Sequence, residues 1–332
     1  MIIKNVLIFG AGAIGSHLGF CLSSSGLNVD FIVRGKQYKK IIKSGLLIKI
    51  YNNKKLLKKK LIRNSPQTLF YPNLKNIKKK NYDYIFIMTK INSLKKDDIK
   101  KLSSLVKSDT SIIPQCTQVP FWLDNKLYLV KRNSKKDINF LYNKFFPKKK
   151  IIGMSAWVSA KIEKPGIIKV KHIQRGYPLK EVSKHNKKSC NFLRNQIKKF
   201  CISPMIKNID AELYIKSTNA LAFNLVALNT LKNNKELYEC KDSRKKIFDI
   251  MSEGDEFLKR KKIKIPQSIK SRIDQTLSST EHTMSMLSDH LNGKKSEIEF
   301  VWSSYYNLMK KNNIKINKTI KIYNQTIKKI YK

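Results

Sequence analysis

Acidic residues are scarce in this chain. Only 23 Asp and Glu stand against 69 Lys and Arg in 332 residues, giving a formal net charge of +46. A protein built to grip nucleic acid gathers its cations on one face or tail. Here lysine runs the whole length, mixed with Asn and Ile, residues that share A/T-rich codons. That diffuse spread points to codon bias and to no specific nucleic-acid partner. The charge still draws anionic metabolites and permits non-specific polyanion binding at low salt. Cysteine is also sparse: Cys21, Cys116, Cys190, Cys201 and Cys240 are odd in number, scattered and without a CxxC pair, which indicates neither a disulfide framework nor a zinc site. No apolar run reaches eighteen residues, so no membrane partner is expected. The first apolar stretch runs into a glycine loop rather than a cleavage site, and a cytoplasmic location is expected. Internal repeats are missing too. What remains is a globular composition, 41% hydrophobic, long enough for one large or two medium domains.

The richest local signal is at the start. Val6–Phe9 is short, apolar and partly β-branched, as in a buried parallel strand. It leads into Gly10-Ala11-Gly12-Ala13-Ile14-Gly15, followed by a helical pattern to Leu22. In a strand–turn–helix of this kind the first glycine permits the tight turn. The second admits a pyrophosphate to the backbone, and the third lets helix and strand pack closely. The helix N-terminus then faces the phosphates. Residues 28–33 form a second strand ending at Arg34-Gly35. A carboxylate there binds the ribose 2′-hydroxyl of NAD, and an arginine meets the 2′-phosphate of NADP. Arg34, backed by Lys36, Lys39 and Lys40, favours NADPH/NADP. Asp30 is the competing residue, but alternation turns it away from that end.

Further along, Lys36–Lys43 reads as a helix and 46–62 as a lysine-rich hairpin. Residues 82–88 form a buried strand ending at Thr89-Lys90, a helix covers 96–106, and 111–114 is a short strand. This alternation predicts a doubly wound sheet. Residues 131–150 form a charged insertion with a short amphipathic helix. Strands over 151–161 and 167–171 flank the turn Glu163-Lys164-Pro165-Gly166. From Asp210 the pattern becomes helical throughout. The expected architecture is α/β: an N-terminal doubly wound Rossmann-type dinucleotide-binding domain over 1–205, then an all-α C-terminal domain over 206–332, with a hinge near 201–209.

These features together resemble the ketopantoate reductase (2-dehydropantoate 2-reductase) family over nearly the whole chain. The resemblance rests on GAGAIG at 10–15, the strand 29–34, Lys90 and the Pro165-Gly166 hairpin. It continues with Leu213-Tyr-Ile-Lys216 and Asn224, and with Ser285-Met-Leu-Ser-Asp289 preceding Ser296-Glu297-Ile298. It implies NADPH-dependent reduction of a small 2-keto acid, ketopantoate, to its 2-hydroxy acid on the route to pantothenate, by a monomer or homodimer. Lys216 matches the family's catalytic lysine, which stabilises negative charge on the carbonyl oxygen and donates its proton. Asn224 and Ser285 match substrate-binding residues, Glu297 a catalytic glutamate, and Lys90 a lysine lining the cofactor cleft. Ser296 with Glu299 also spells a capping box, in which Glu297 would act only by its charge at a helix start.

Two departures touch the site. Where the family carries Asn-Gly, this chain has Thr117-Gln118 within Cys116-Thr117-Gln118-Val119-Pro120-Phe121-Trp122, so Thr117 is the expected cofactor-binding residue there. Four residues after Lys216 the family has asparagine. Ala220 stands there, and Asn219, one earlier, is the expected substrate-binding substitute. Asn219 and Asn224 lie about 140° apart on a helix, so they cannot both point as the family's pair does. A reductase of another small 2-keto acid and a basic polyanion-binding protein are the alternatives to ketopantoate reduction.

Overall fold

A computed structural model describes residues 3–52, 55–77, 80–123, 138–278 and 282–331. It divides into two compact units, Met1–Gln115 with Leu141–Asp210, and Cys116–Phe140 with Ala211–Lys332. A contiguous division at 205/206 assigns the stretch after Gln115 to the first domain, whereas here it groups with the helices. The reason is apolar: Val119 joins the core of the helical unit, and its amide donates to Ser304 Oγ at 3.2 Å.

In the first unit, β1 (Asn5–Phe9) leads through the glycine loop to α1 (Ala13–Ser24) and β2 (Asn28–Ile32). Then come α2 (Gly35–Ser44), β3 (Leu46–Asn52), β4 (Lys55–Ile62) and β5 (Thr68–Tyr71). After β6 (Tyr84–Ile87), α3 (Lys96–Ser104) and β7 (Ser111–Pro114), the short α4 (Ile138–Phe145) follows. Five strands form a parallel sheet in the order β5-β2-β1-β6-β7. Val6, Leu7 and Ile8 are fully buried, as both faces of a covered parallel sheet require. Strand β5 was not expected from the sequence; its four residues alternate buried and half-buried at the sheet edge.

The expected hairpin over 46–62 forms, with β3 antiparallel to β4. A four-stranded sheet in the order β4-β3-β10-β9 builds on it, from β9 (Trp157–Lys164) and β10 (Ile167–Gly176). Pro165-Gly166 makes the turn between them, Gly166 at φ +79°, the left-handed geometry that glycine accepts without strain. The single strand expected over 151–161 is instead two. β8 (Ile152–Met154) pairs with β11 (Leu179–Glu181), whereas β9 pairs with β10. The break falls at Ser155-Ala156, where the Ser155 amide bonds to Pro178 O. Helix α5 (Lys187–Lys198) follows.

The second unit is helical: α6 (Ile209–Thr230), α7 (Asn234–Glu239), α8 (Lys241–Arg260), α9 (Ile269–Leu277), α10 (Ser285–Leu291), α11 (Ile298–Lys311) and α12 (Asn317–Ile330). Every residue from Leu221 to Leu228 is buried, so α6 is the central helix of its unit. Gly254 lets α8 lie against it: a Cβ there would meet Thr218 Cγ2 at 2.4 Å. Tyr214 Oη donates to Gly254 O across the same contact. Among the described residues, no helix is long and apolar enough to cross a membrane.

Candidate active site

The glycine loop is built from backbone. Gly10 N and Ala11 N both donate to Ile32 O, at 3.2 and 2.9 Å, tying the loop to the end of β2. Gly10 has φ +111°, and a Cβ on it would meet Thr89 Cγ2 at 2.7 Å. A Cβ on Gly15 would lie 2.2 Å from Gly10 O, so helix and loop approach to a distance only glycine allows. Gly12 is different, because nothing lies within 4 Å of where its Cβ would be. The first helical bond runs from Ser16 N to Gly12 O. The amides of Ala13, Ile14 and Gly15 precede it and belong to the donors an α-helix leaves over at its start. Nearby, Thr89 Oγ1 is buried with no hydrogen-bond partner among the described residues. Open space over one glycine, first-turn amides and an orphaned hydroxyl fit a dinucleotide pyrophosphate.

At the end of β2, Arg34 is about half exposed. Its guanidinium lies 5.5 Å from the centre of the Phe9 ring and 3.1 Å from Asp98 Oδ2. Asp30 is fully buried, accepting from Tyr82 Oη at 2.7 Å and pairing with Lys80 Nζ at 3.1 Å. Its carboxylate is thus committed inside the fold. Lys90 is exposed just beyond β6.

In the helical unit, Lys216 is half-buried on α6. Burial is the main cause that pushes its pKa down to about 8, opposed by Glu212, one turn earlier, and by Cys116. Cys116 is buried, and burial pushes its thiol up to about 12. Asn224 is buried with both ends of its amide engaged. Its Nδ2 donates to Ala220 O at 2.8 Å, and its Oδ1 accepts the Met286 amide at 3.0 Å. That second bond ties α6 to the first turn of α10, where Ser285 is exposed. Glu297 is buried immediately before α11. The Ser296–Glu299 capping box is replaced by a tighter turn, with Ser296 Oγ accepting from Ile298 N. Thr117 is half-buried in the stretch before Val119, and Gln118 is buried.

Asn219, the expected substrate-binding substitute, is engaged within the helical unit. Its Oδ1 accepts from Arg272 Nη1 at 3.0 Å, and Arg272 Nη2 pairs with Asp255, all three buried. Arg272 and Asp255 escaped the sequence reading, since α8 and α9 place them beside Asn219 only after folding. Gly19 escaped too: a Cβ on it would lie 2.2 Å from the Phe31 ring, extending the close helix–strand contact that Gly15 begins.

Residues 6–115 match the model of the ketopantoate reductase PanE/ApbA family, and residues 208–329 match its C-terminal model. No curated protein matches the sequence. Among solved structures, a 2-dehydropantoate 2-reductase from Geobacter metallireducens GS-15 is similar at a TM-score of 0.79 and 18% identity, over 98% of this chain and 99% of that one. A second 2-dehydropantoate 2-reductase, from Methylococcus capsulatus, reaches 0.74 at 19% identity, over 96% and 94%. D-mandelate dehydrogenase with NADH and anilino(oxo)acetate reaches 0.76 at 20% identity, over 99% and 98%. At such identities the structures speak for the fold. The two family models, which together span more than half of the chain around both the glycine loop and the lysine helix, carry the assignment: the chain is an oxidoreductase of the ketopantoate reductase family.

Proposed function

We propose that this protein reduces ketopantoate to pantoate with NADPH, in the cytoplasm and on the route to pantothenate. The observation that carries the reading is Lys216, half-buried on the central helix with a pKa drawn down to about 8. A lysine so placed is protonated at neutral pH and gives up its proton far more readily than an exposed one. A bound reduced nicotinamide would supply the hydride to the keto carbon. Lys216 Nζ holds the carbonyl oxygen, offsets its growing negative charge and passes it a proton, leaving a hydroxyl and a neutral amine that solvent reprotonates. Asn224 holds α10 in place and keeps one amide proton for substrate, and Ser285 Oγ donates to the carboxylate. Glu297 contacts the substrate and supports the geometry of the site. The first-turn amides of Ala13, Ile14 and Gly15 receive the pyrophosphate in the room that Gly10 and Gly12 leave, with Thr89, Lys90 and Thr117 as further cofactor contacts. Arg34 exchanges Asp98 for the 2′-phosphate.

A second reading keeps the chemistry and changes the keto acid. Its support is the altered site: Gln118 is buried where the family has glycine, and Asn219 is taken up by Arg272. The fold is also that of a D-mandelate dehydrogenase. Oxidation of NADPH by purified protein, measured with ketopantoate, pyruvate, 2-ketoisovalerate, 2-ketoisocaproate and phenylglyoxylate, separates the two. The highest kcat/KM is expected with ketopantoate. A preference for another acid moves the assignment to the second reading, and no turnover with any of them removes both.

A further inference from the structure

The sequence, lacking a CxxC pair, indicates no zinc site, yet the fold assembles three metal-binding side chains from distant positions. We propose that His17, Cys21 and Cys201 bind a thiophilic divalent cation, with zinc as the ion that fits. His17 and Cys21 are four residues apart on α1 and share one face of it, and Cys201 lies three residues beyond α5. Their donor atoms all fall within 4.8 Å of one another, and all three residues are buried. Cys21 Sγ is 3.9 Å from His17 Nε2. Donors bound tetrahedrally to zinc at about 2.0–2.3 Å stand roughly 3.3–3.8 Å apart, so the cluster needs only to tighten slightly.

The orientation of the imidazole supports this. His17 Nδ1 lies 2.8 Å from Tyr177 Oη, and that hydroxyl donates onward to Ile14 O over a longer 3.5 Å. In the tautomer protonated at Nδ1, Tyr177 accepts from Nδ1–H and the lone pair on Nε2 faces Cys21 Sγ. Metal-bound histidines are held in this way by a partner on the other ring nitrogen. Charge favours a divalent ion: two thiolates and a neutral imidazole cancel +2, and a neutral complex is the one a buried apolar site accepts at least cost. Binding releases the two thiol protons and leaves one coordination position for water. The site lies outside the residues assigned to reduction. Through Tyr177 and Ile14 it braces the helix that carries the glycine loop.

The test uses the full chain carrying Cys240→Ser, which removes a half-exposed thiol, expressed with and without added zinc. About one zinc per chain by elemental analysis is expected from the supplemented culture, by analogy with other thiolate sites. Replacement with Co2+ should give an intense thiolate-to-metal charge-transfer band. Cys21→Ser and Cys201→Ser should each abolish the band, whereas Cys190→Ser, at a buried thiol outside the cluster, should keep it. Background zinc with no cobalt band in folded, NADPH-binding protein would overturn the proposal. So would a Cys21–Cys201 disulfide found by peptide mapping of never-reduced protein, or binding of Cu+ alone. The cobalt spectrum of the parent chain keeps the test decisive even if a serine variant fails to fold.

Discussion

The glycine loop and the lysine helix are built in opposite ways. The loop is made of main chain: its donors are amides, its shape comes from three glycines, and its partners, Ile32 O and Thr89, follow the ends of neighbouring parallel strands. The region around α6 is made of side chains whose partners come from α8, α9 and α10. A backbone-made site depends on what must be absent at a few positions. A site made of side chains depends on what is present at many, and each partner is free to change. Both departures from the family's pattern, Thr117-Gln118 and Ala220 with Asn219, fall in the helical unit.

The comparison is put under greatest strain at Arg272. Replacing it with Ala strands the buried Asp255 carboxylate and releases Asn219, and breaking such a pair costs about 3–5 kcal/mol. Burial already raises the Asp255 pKa despite Arg272, and losing the arginine raises it further. A carboxyl with a folded pKa above its unfolded one destabilises at high pH, so the deficit in urea unfolding should shrink as pH falls. A constant deficit across pH would show that Asp255 does not carry it.

Lys216→Ala should cut turnover by roughly two orders of magnitude, about 2.7 kcal/mol, and leave NADPH binding nearly intact. Because the acid form is the active one, kcat of the parent should fall as pH rises through about 8. A flat profile to pH 10 would break the assignment of Lys216 as proton donor.

Gly15→Ala probes the opposite half. The added methyl meets the Gly10 carbonyl at 2.2 Å, an overpacking worth about 1–3 kcal/mol. Both stability and NADPH affinity should drop while the helical unit is untouched. Equal affinity in calorimetry would mean the loop tolerates side chains after all. The smallest effect is expected at Arg34. An Asp there removes the cation and faces Asp98 with a like charge, weakening NADPH about tenfold, near 1.4 kcal/mol, and NADH much less. Equal weakening of both would limit Arg34 to its contacts with Asp98 and Phe9.

The same contrast explains what could be read from sequence. β1, the loop and α1 were legible because apolar run, glycines and helix lie side by side in the chain. The lysine helix was legible through its resemblance to the family's, with Lys216 the one charged residue between Leu213 and Leu231. The Asn219–Arg272–Asp255 cluster was not, since nothing local marks residues that meet only through tertiary packing, and Cys201 joins the helical neighbours His17 and Cys21 only on folding. Strand β5 is four residues long, too short for alternation to stand out, and the break at Ser155-Ala156 depends on which neighbour each half pairs with.

Strand β4 has a consequence of its own. Seven of its eight side chains, Lys55 to Leu61, are exposed and Ile62 alone joins the core, so little holds its register against a slip of one residue. Its lysines discourage a second molecule from adding to that edge. With so little apolar surface committed, its hydrogen bonds to β3 should open at a free energy far below that of global unfolding. In deuterated solvent the amides that β4 shares with β3 should exchange early, while those between β1 and β2 persist, making this lysine ribbon a loosely hinged margin on an otherwise rigid unit.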